Sequence, residues 1–321
     1  MHLMTATPPA PVIACNLDPE QAARLRAHPA RPVVLEYAEG DVPWNVPPKA
    51  EVLMTFARGW RGAPAKRPEG WPGNLKWMQI AAAGIDAFPD WAFDVPLVST
   101  GRGISADAIA EYVLAAIFAH EKGFFDQYPL RDAAGWAQRP LGSVAGKRLG
   151  LAGFGAIGAR TAELAAALGM QIAAVTRSAT VAPHIRQYPT LAQMIAETDH
   201  LVLAVPLTAA TRGMLNADIL AHAKPGLHVI NVCRGEVVDD DALWQAIETG
   251  QVAAATLDVT SPEPLPPGHR FYTHPRIRVT PHISWTSDDN ADRMAAKLAR
   301  NLDAWLQGQP PEDVLPKGRE Y

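Results

Sequence analysis

The sequence of 321 residues has little cysteine, no large charge excess and no long apolar run, and each shortage argues against a class of protein. The two cysteines, Cys15 and Cys233, lie in separate apolar stretches, so neither a disulfide framework nor a metal site is expected. The formal net charge of −4 argues against a broad basic face for nucleic acid. The apolar run Tyr112–Ala119 has eight residues, whereas a spanning helix needs about 20. Since the N-terminus also lacks a secretory signal pattern, we expect a cytoplasmic protein without a membrane partner.

Short strand-like runs alternate with helical patterns along most of the chain. This alternation predicts parallel sheets covered by helices, and the length fits two α/β domains. A long helix, Ser105–His120, separates two series of strands, and an amphipathic helix, Asp288–Leu306, follows the second. The predicted strands of the first series are Val12–Cys15, Val33–Leu35, Glu51–Phe56, Leu75–Ile80 and Leu97–Thr100. Those of the second series are Arg148–Ala152, Ile172–Val175, His200–Val205, Leu227–Val232, Ala253–Val259 and Arg278–Thr280.

A glycine motif follows the first strand of the second series. Gly153, Gly155 and Gly158 form a G-x-G-x-x-G pattern, with a strong helix former, Ala159–Leu168, behind it. The glycines permit a tight turn and a close backbone approach, and Ala156 and Ile157 would present N–H groups to a pyrophosphate. The whole strand–turn–helix context predicts a dinucleotide site. We therefore predict two doubly wound parallel-sheet α/β domains, Rossmann-like or flavodoxin-like, with a cleft between them.

The position that selects the cofactor carries no carboxylate. NAD enzymes have an acid about 20 residues after the motif, where this chain has Thr176, Arg177 and Ser178. Arg177 would offer a fork of donors to a 2′-phosphate, and the two hydroxyl groups could add to it. The sequence therefore favours NADP(H), while a solvated Arg177 with NAD(H) bound is the alternative.

Three segments of the second series place chemistry-bearing side chains just after strands. Arg234 follows one strand, Glu263 lies in a proline-stiffened loop after the next, and His282 follows the last. Together they suffice for carbonyl reduction: the arginine holds a carboxylate and polarises the carbonyl, the histidine donates a proton, and the glutamate pairs with the histidine. Each residue by itself is more often structural. We predict the three as the catalytic set.

In combination these segments resemble the D-isomer-specific 2-hydroxyacid dehydrogenase family, and the resemblance extends from Leu75 to His282. It implies the catalytic roles of Arg234, Glu263 and His282 and a discontinuous substrate domain, residues 1–102 plus 288–321, with a dinucleotide domain, 103–287, inserted in it. A homodimer formed through the dinucleotide domain is also implied. The resemblance assigns residues on the cofactor side as well: Val205, Pro206, Thr211, Cys233 and Asp258, the last at the nicotinamide carboxamide.

On the substrate side, the run ending in Gly84 and Ile85 resembles the family's loop that binds the substrate carboxylate through backbone N–H groups. Two further substrate contacts are predicted with alternatives. Arg58, with Trp60, could reach the cleft or be a solvated loop residue. Trp285 stands where the family usually has a small residue, and it would either reshape the substrate end of the cleft or pack against the neighbouring domain.

Within the family, the chain looks most like glyoxylate/hydroxypyruvate reductases. We expect reduction of a small 2-oxo acid to the D-2-hydroxy acid, with NADPH preferred and NADH possible. Two alternatives stay open. One is an NAD-dependent dehydrogenase acting on phosphoglycerate or formate, against which the missing acid counts. The other is a dinucleotide-sensing scaffold like the corepressors that share this fold.

Overall fold

The computed structural model describes residues 10–124, 133, 136–177 and 182–316. They form two compact units, one containing the described residues up to Ile104 and from Asp288 onward, the other those from Ser105 to Ser287. The helices are Pro19–Arg26 (α1), Ala106–Lys122 (α2), Ala156–Ala167 (α3), Leu191–Ile195 (α4), Ala217–Leu220 (α5), Asp240–Glu248 (α6) and Asn290–Leu306 (α7). Among the helices of these ranges, none combines the length and the apolar content that crossing a bilayer requires.

The first unit is built on a parallel sheet of five strands in the order β2-β1-β3-β4-β5. Its strands are Val12–Asn16 (β1), Val33–Glu36 (β2), Val52–Thr55 (β3), Trp77–Ile80 (β4) and Leu97–Ser99 (β5). This is the flavodoxin-like order, in which ligands bind beyond the carboxyl ends of the strands. Alternate residues of β3 explain the two cores, because Val52 and Met54 face α1 and α7, whereas Leu53 faces a cluster of tryptophans.

The second unit contains a parallel sheet of seven strands in the order β12-β11-β10-β9-β6-β7-β8. Its strands are Arg148–Ala152 (β6), Gln171–Val175 (β7), Arg186–Gln187 (β8), His200–Leu203 (β9), Leu227–Asn231 (β10), Val252–Leu257 (β11) and Ile277–Val279 (β12). The strand order reverses between β6 and β9, as in a Rossmann sheet with one additional strand. Helices α2 and α3 cover one face and α4, α5 and α6 cover the other. The predicted fold class is confirmed, and the carboxyl ends of β6, β10, β11 and β12 lie along one edge.

The amino-terminal edge of this second sheet buries a cluster of histidines to which the sequence analysis gave no role. His200 and His228 are each 1% exposed, and their Nδ1 atoms lie 3.2 Å apart. His120, from the end of α2, stacks on His228 with ring centroids 4.5 Å apart. Thr256 pairs with His228 Nε2 at 3.0 Å, and Glu121 lies 3.1 Å from His200 Nε2. Burial, and then the neighbouring His120 and His200, hold the pKa of His228 well below its usual value.

This burial predicts that the protein loses stability on mild acidification. The unfolded chain protonates His228 near pH 6.5, whereas the folded chain resists, so the contribution is complete above that pH and is lost as the pH falls below it. A difference of one pKa unit between the two states corresponds to about 1.4 kcal/mol. We expect His228→Gln to flatten the dependence of the free energy of unfolding on pH between 7.5 and 5.5 in urea titrations. Exposed His184→Gln is the control, and equal slopes in both variants would contradict the prediction.

Candidate active site

The glycine motif forms a turn that only glycine can complete. Gly153 follows β6 with φ at +99°, and a Cβ added there would lie 2.4 Å from the carbonyl oxygen of Ala204. A Cβ on Gly158 would lie 2.4 Å from the carbonyl oxygen of Gly153, so helix α3 packs closely on the turn. Gly155 is the N-cap of α3 and offers no capping side chain. The N–H groups of Ala156 and Ile157 belong to the first turn, which has no acceptor within the helix. This cradle fits a diphosphate.

The ribose position lies directly beside this turn, since Gly153 N donates to Val175 O, at the end of β7, over 2.9 Å. Thr176 is half-buried, and the Arg177 side chain is exposed two residues beyond the strand. Ser178 lies outside the described residues. The adenosine ribose of a bound dinucleotide would lie here. Arg177 provides a positive charge at this position, and no carboxylate neighbours it in the sequence.

Hydrogen bonds within the loop after β9 stabilise its conformation. Val205 and Pro206 are partly buried. The Thr211 hydroxyl donates to Pro206 O over 2.6 Å and accepts from Thr208 N over 2.8 Å, so it organises the loop and is not an open donor. Cys233 is 7% exposed, and burial raises the pKa of its thiol to about 11. Its thiol is therefore unreactive, and the contact of Cys233 with the cofactor stays a prediction.

His282 and Glu263 form a direct pair. The Nδ1 atom of His282 lies 3.0 Å from Oε2 of Glu263, and both side chains are partly exposed. The other carboxylate oxygen of Glu263 accepts from Thr260 N over 3.3 Å, which fixes the carboxylate in its loop. With Nδ1 bonded to the carboxylate, Nε2 is the imidazole atom that can exchange a proton with a ligand. The pair predicted from the sequence is therefore within hydrogen-bond distance.

Asp258, at the end of β11, organises the histidine loop. It is 1% exposed, and its carboxylate accepts from Thr280 Oγ1 over 2.6 Å and from the N–H groups of Ile283 and Ser284 over 2.9 Å each. The hydroxyl of Tyr112 extends the network at 2.6 Å from Thr280 Oγ1. The three donors leave acceptor capacity on Oδ2, so Asp258 holds the loop, and its contact with the nicotinamide carboxamide, which the family resemblance implies, stays a prediction.

Arg234 begins the short 3-10 helix Gly235–Val237 after β10. Its guanidinium Nη1 donates to Cys233 O over 2.6 Å, and Asn231 Nδ2 donates to the carbonyl of Arg234 over 2.9 Å. Strand order places Arg234, Glu263 and His282 on loops after three adjacent strands, β10, β11 and β12. The structure thus brings the predicted set to one edge, together with the glycine turn.

Trp285 lies on the same loop as the imidazole, and its ring is exposed. Its indole N–H donates to His282 O over 2.8 Å, while the residue remains 42% exposed. No local sequence pattern indicates this hydrogen bond.

Comparison with known proteins identifies the family. The profile of the NAD-binding domain of D-isomer specific 2-hydroxyacid dehydrogenases matches residues 114–284, which is more than half of the chain. The chain belongs to the D-isomer-specific 2-hydroxyacid dehydrogenase family.

Relatives along most of the chain agree with this membership. A glyoxylate/hydroxypyruvate reductase A from Serratia proteamaculans is 32% identical over 76% of this chain and 80% of its own length. A glyoxylate reductase from Thermofilum pendens is 30% identical over 76% of each chain. The crystal structure of a family member from Xanthobacter autotrophicus Py2 in complex with NADPH and MES superposes with a TM-score of 0.83. It is 26% identical, with 96% of this chain and 98% of that chain covered. The protein is thus a 2-hydroxyacid dehydrogenase with a nicotinamide-dinucleotide domain.

In this dehydrogenase the substrate residues predicted in the first unit have mixed surroundings. Gly84 and Ile85 follow β4 in an irregular, half-exposed segment. Arg58 is exposed, with its guanidinium 4.7 Å from the centre of the Phe56 ring. The expectation that Trp60 reaches a ligand is wrong, because Trp60 is 1% exposed and its indole N–H donates to Thr55 Oγ1 over 3.0 Å. It is a core residue of the first unit.

Proposed function

We propose that the protein reduces small 2-oxo acids to D-2-hydroxy acids, with NADPH preferred to NADH, and that glyoxylate and hydroxypyruvate are the first candidate substrates. The hydrogen-bonded pair of His282 and Glu263 is the observation that carries the proposal. The two relatives described above, both named as reductases of glyoxylate, support the substrate class.

The chemistry divides between the cofactor and three side chains of this chain. A bound reduced nicotinamide would supply the hydride. Arg234 binds the substrate carboxylate and polarises the neighbouring carbonyl, because a guanidinium matches a carboxylate in charge and shape. His282 donates the proton from Nε2 to the carbonyl oxygen, and Glu263, at Nδ1, keeps the ring oriented and stabilises its charged form.

The cofactor is held in this proposal by the N–H groups of Ala156 and Ile157 and by the turn at Gly153. We assign Arg177 to the 2′-phosphate that distinguishes NADPH. The assignment of Gly84 and Ile85 to the substrate carboxylate remains a prediction, as does that of Arg58.

Replacing Arg177 with alanine should raise KM for NADPH by about 10- to 100-fold, as expected for the loss of a charge-assisted hydrogen bond. KM for NADH should stay within about twofold, because NADH carries no phosphate at that position. Steady-state kinetics with both cofactors measures the ratio. The exposed Arg61→Ala is the matched control, and an equal change for both cofactors would remove Arg177 from this role.

Two other functions predict different behaviour in the same assays. An NAD-dependent dehydrogenase would oxidise a hydroxy acid or formate faster than it reduces any 2-oxo acid. A dinucleotide-sensing scaffold would bind the cofactor with little turnover of any oxo acid. The missing acid beside Arg177 favours the reductase over the first. A scaffold of the second kind retains the catalytic set, so the turnover assay is what separates it from the reductase.

We also propose that the protein is a cytoplasmic homodimer joined through the dinucleotide unit, without a nucleic-acid or membrane partner. Light scattering after size exclusion tests the oligomeric state, and a monomer at micromolar concentration would reject the dimer.

A further inference from the structure

The backbone of His282 adopts a conformation that a non-glycine residue rarely takes. Its φ is +54°, in the left-handed region. Such a conformation persists only where the surroundings determine it. The direction of the imidazole therefore depends on the contacts that hold this one residue.

The N–H groups of His282 and Ile283 donate hydrogen bonds to acceptors in the core of the unit. The His282 N–H donates to Asp258 O over 2.9 Å and to Thr280 O over 3.0 Å. The next N–H, of Ile283, donates to the Asp258 carboxylate over 2.9 Å. One side of the peptide group between His282 and Ile283 is thus fixed by a buried acid.

The other side of that peptide group is fixed from the surface. Its carbonyl, His282 O, accepts the indole N–H of Trp285 over 2.8 Å. The two bonds hold the peptide plane at both ends, and this plane sets ψ of His282. An exposed tryptophan three residues after the imidazole thereby completes the support of its backbone.

We propose that Trp285 is a positioning residue that keeps His282 aligned for proton transfer by holding this peptide plane. The inference rests on the proposed function only for the proton-transfer role of His282. If the indole bond is lost, the plane gains freedom to rotate, and the imidazole spends less time with Nδ1 on Glu263 and Nε2 available to a substrate. Small errors in the position of a catalytic group can reduce rates substantially.

The test compares two tryptophan variants of the same unit. Trp285→Phe keeps an aromatic ring and removes the N–H donor. Trp244→Phe is the control, because Trp244 lies on α6 and its ring stacks on Phe271. Incorporation of benzothienylalanine at position 285 gives a second variant, since sulfur replaces the N–H in a ring of the same shape.

We expect Trp285→Phe and the benzothienyl variant to lower kcat by about 3- to 10-fold, which corresponds to the net contribution of one hydrogen bond. KM for NADPH should change less than twofold. Hydrogen–deuterium exchange of the peptide containing Ile283 and Ser284 should accelerate several-fold, with the melting temperature and exchange elsewhere unchanged. Trp244→Phe should leave kcat and the exchange of this peptide unchanged.

The exchange measurement needs no turnover, so it separates this inference from the proposed function. If the wild-type protein reduces no 2-oxo acid, the proposed function fails. Faster exchange in the loop of the Trp285 variants would still show that Trp285 holds the backbone of His282. Unchanged exchange and unchanged kcat in the benzothienyl variant would overturn the inference. A change confined to KM for the oxo acid would also overturn it, because that result assigns Trp285 to substrate contact.

Discussion

His282→Gln is expected to lower kcat by about 10²–10⁴-fold, the usual contribution of a general acid. Glutamine can still donate an N–H to Glu263, but it cannot transfer a proton from the position of Nε2. KM for NADPH should remain within about twofold, because the diphosphate cradle at Gly153–Gly158 is unaltered. Steady-state kinetics with glyoxylate and NADPH, together with a melting curve to confirm folding, gives the result.

His184→Gln is the matched control for this variant, since His184 is exposed and has no part in the site. The control should retain wild-type kcat. A His282→Gln enzyme with near-wild-type kcat would show that another group supplies the proton.

Arg234→Ala is expected to reduce both substrate affinity and turnover, with kcat/KM for the 2-oxo acid lower by about 10²–10⁴-fold. Two charge-assisted hydrogen bonds to a carboxylate, each contributing about 1.5–3 kcal/mol, account for this range. Arg234→Lys should recover only part of the loss, because an ammonium group carries the charge without the planar fork. Binding of NADPH, followed by its fluorescence, should be nearly unchanged.

The control for the arginine is Arg276→Ala. Arg276 immediately precedes β12, at the opposite edge of the sheet, and lies 3.8 Å from Glu248. Its loss should leave kcat/KM unaltered. Equal kinetic losses in the two arginine variants would indicate a general effect of the charge, and full activity of Arg234→Lys would reject bidentate binding.

Elements with a clear local pattern were predictable from the sequence. Strand β6 was predicted with its observed bounds, Arg148–Ala152, and the glycine motif after it gave the dinucleotide site. Helix α3 begins at Ala156, three residues before the predicted start, because Gly155 caps it by backbone alone. Helices α4 and α5, of five and four residues, are too short to show a helical period, and they were missed.

The contacts among the site's side chains were predictable only in part. Residue type and position after a strand indicated that His282 and Glu263 would lie close together, since parallel strands end at one edge. The partners of Asp258 and Trp285 depend on how one loop folds back on itself, and no local pattern encodes that. The burial of His200 and His228 was also not predicted, because a polar residue at the start of a strand is usually solvated.

We propose that the His282 edge of the dinucleotide unit carries out reduction of a 2-oxo acid. Its most direct test follows the absorbance of the reduced nicotinamide in the presence of glyoxylate, hydroxypyruvate and larger 2-oxo acids, with NADPH and with NADH. We predict turnover of the two small acids, faster with NADPH, and its loss in His282→Gln. Tight binding of NADPH without oxidation by any 2-oxo acid would contradict the account.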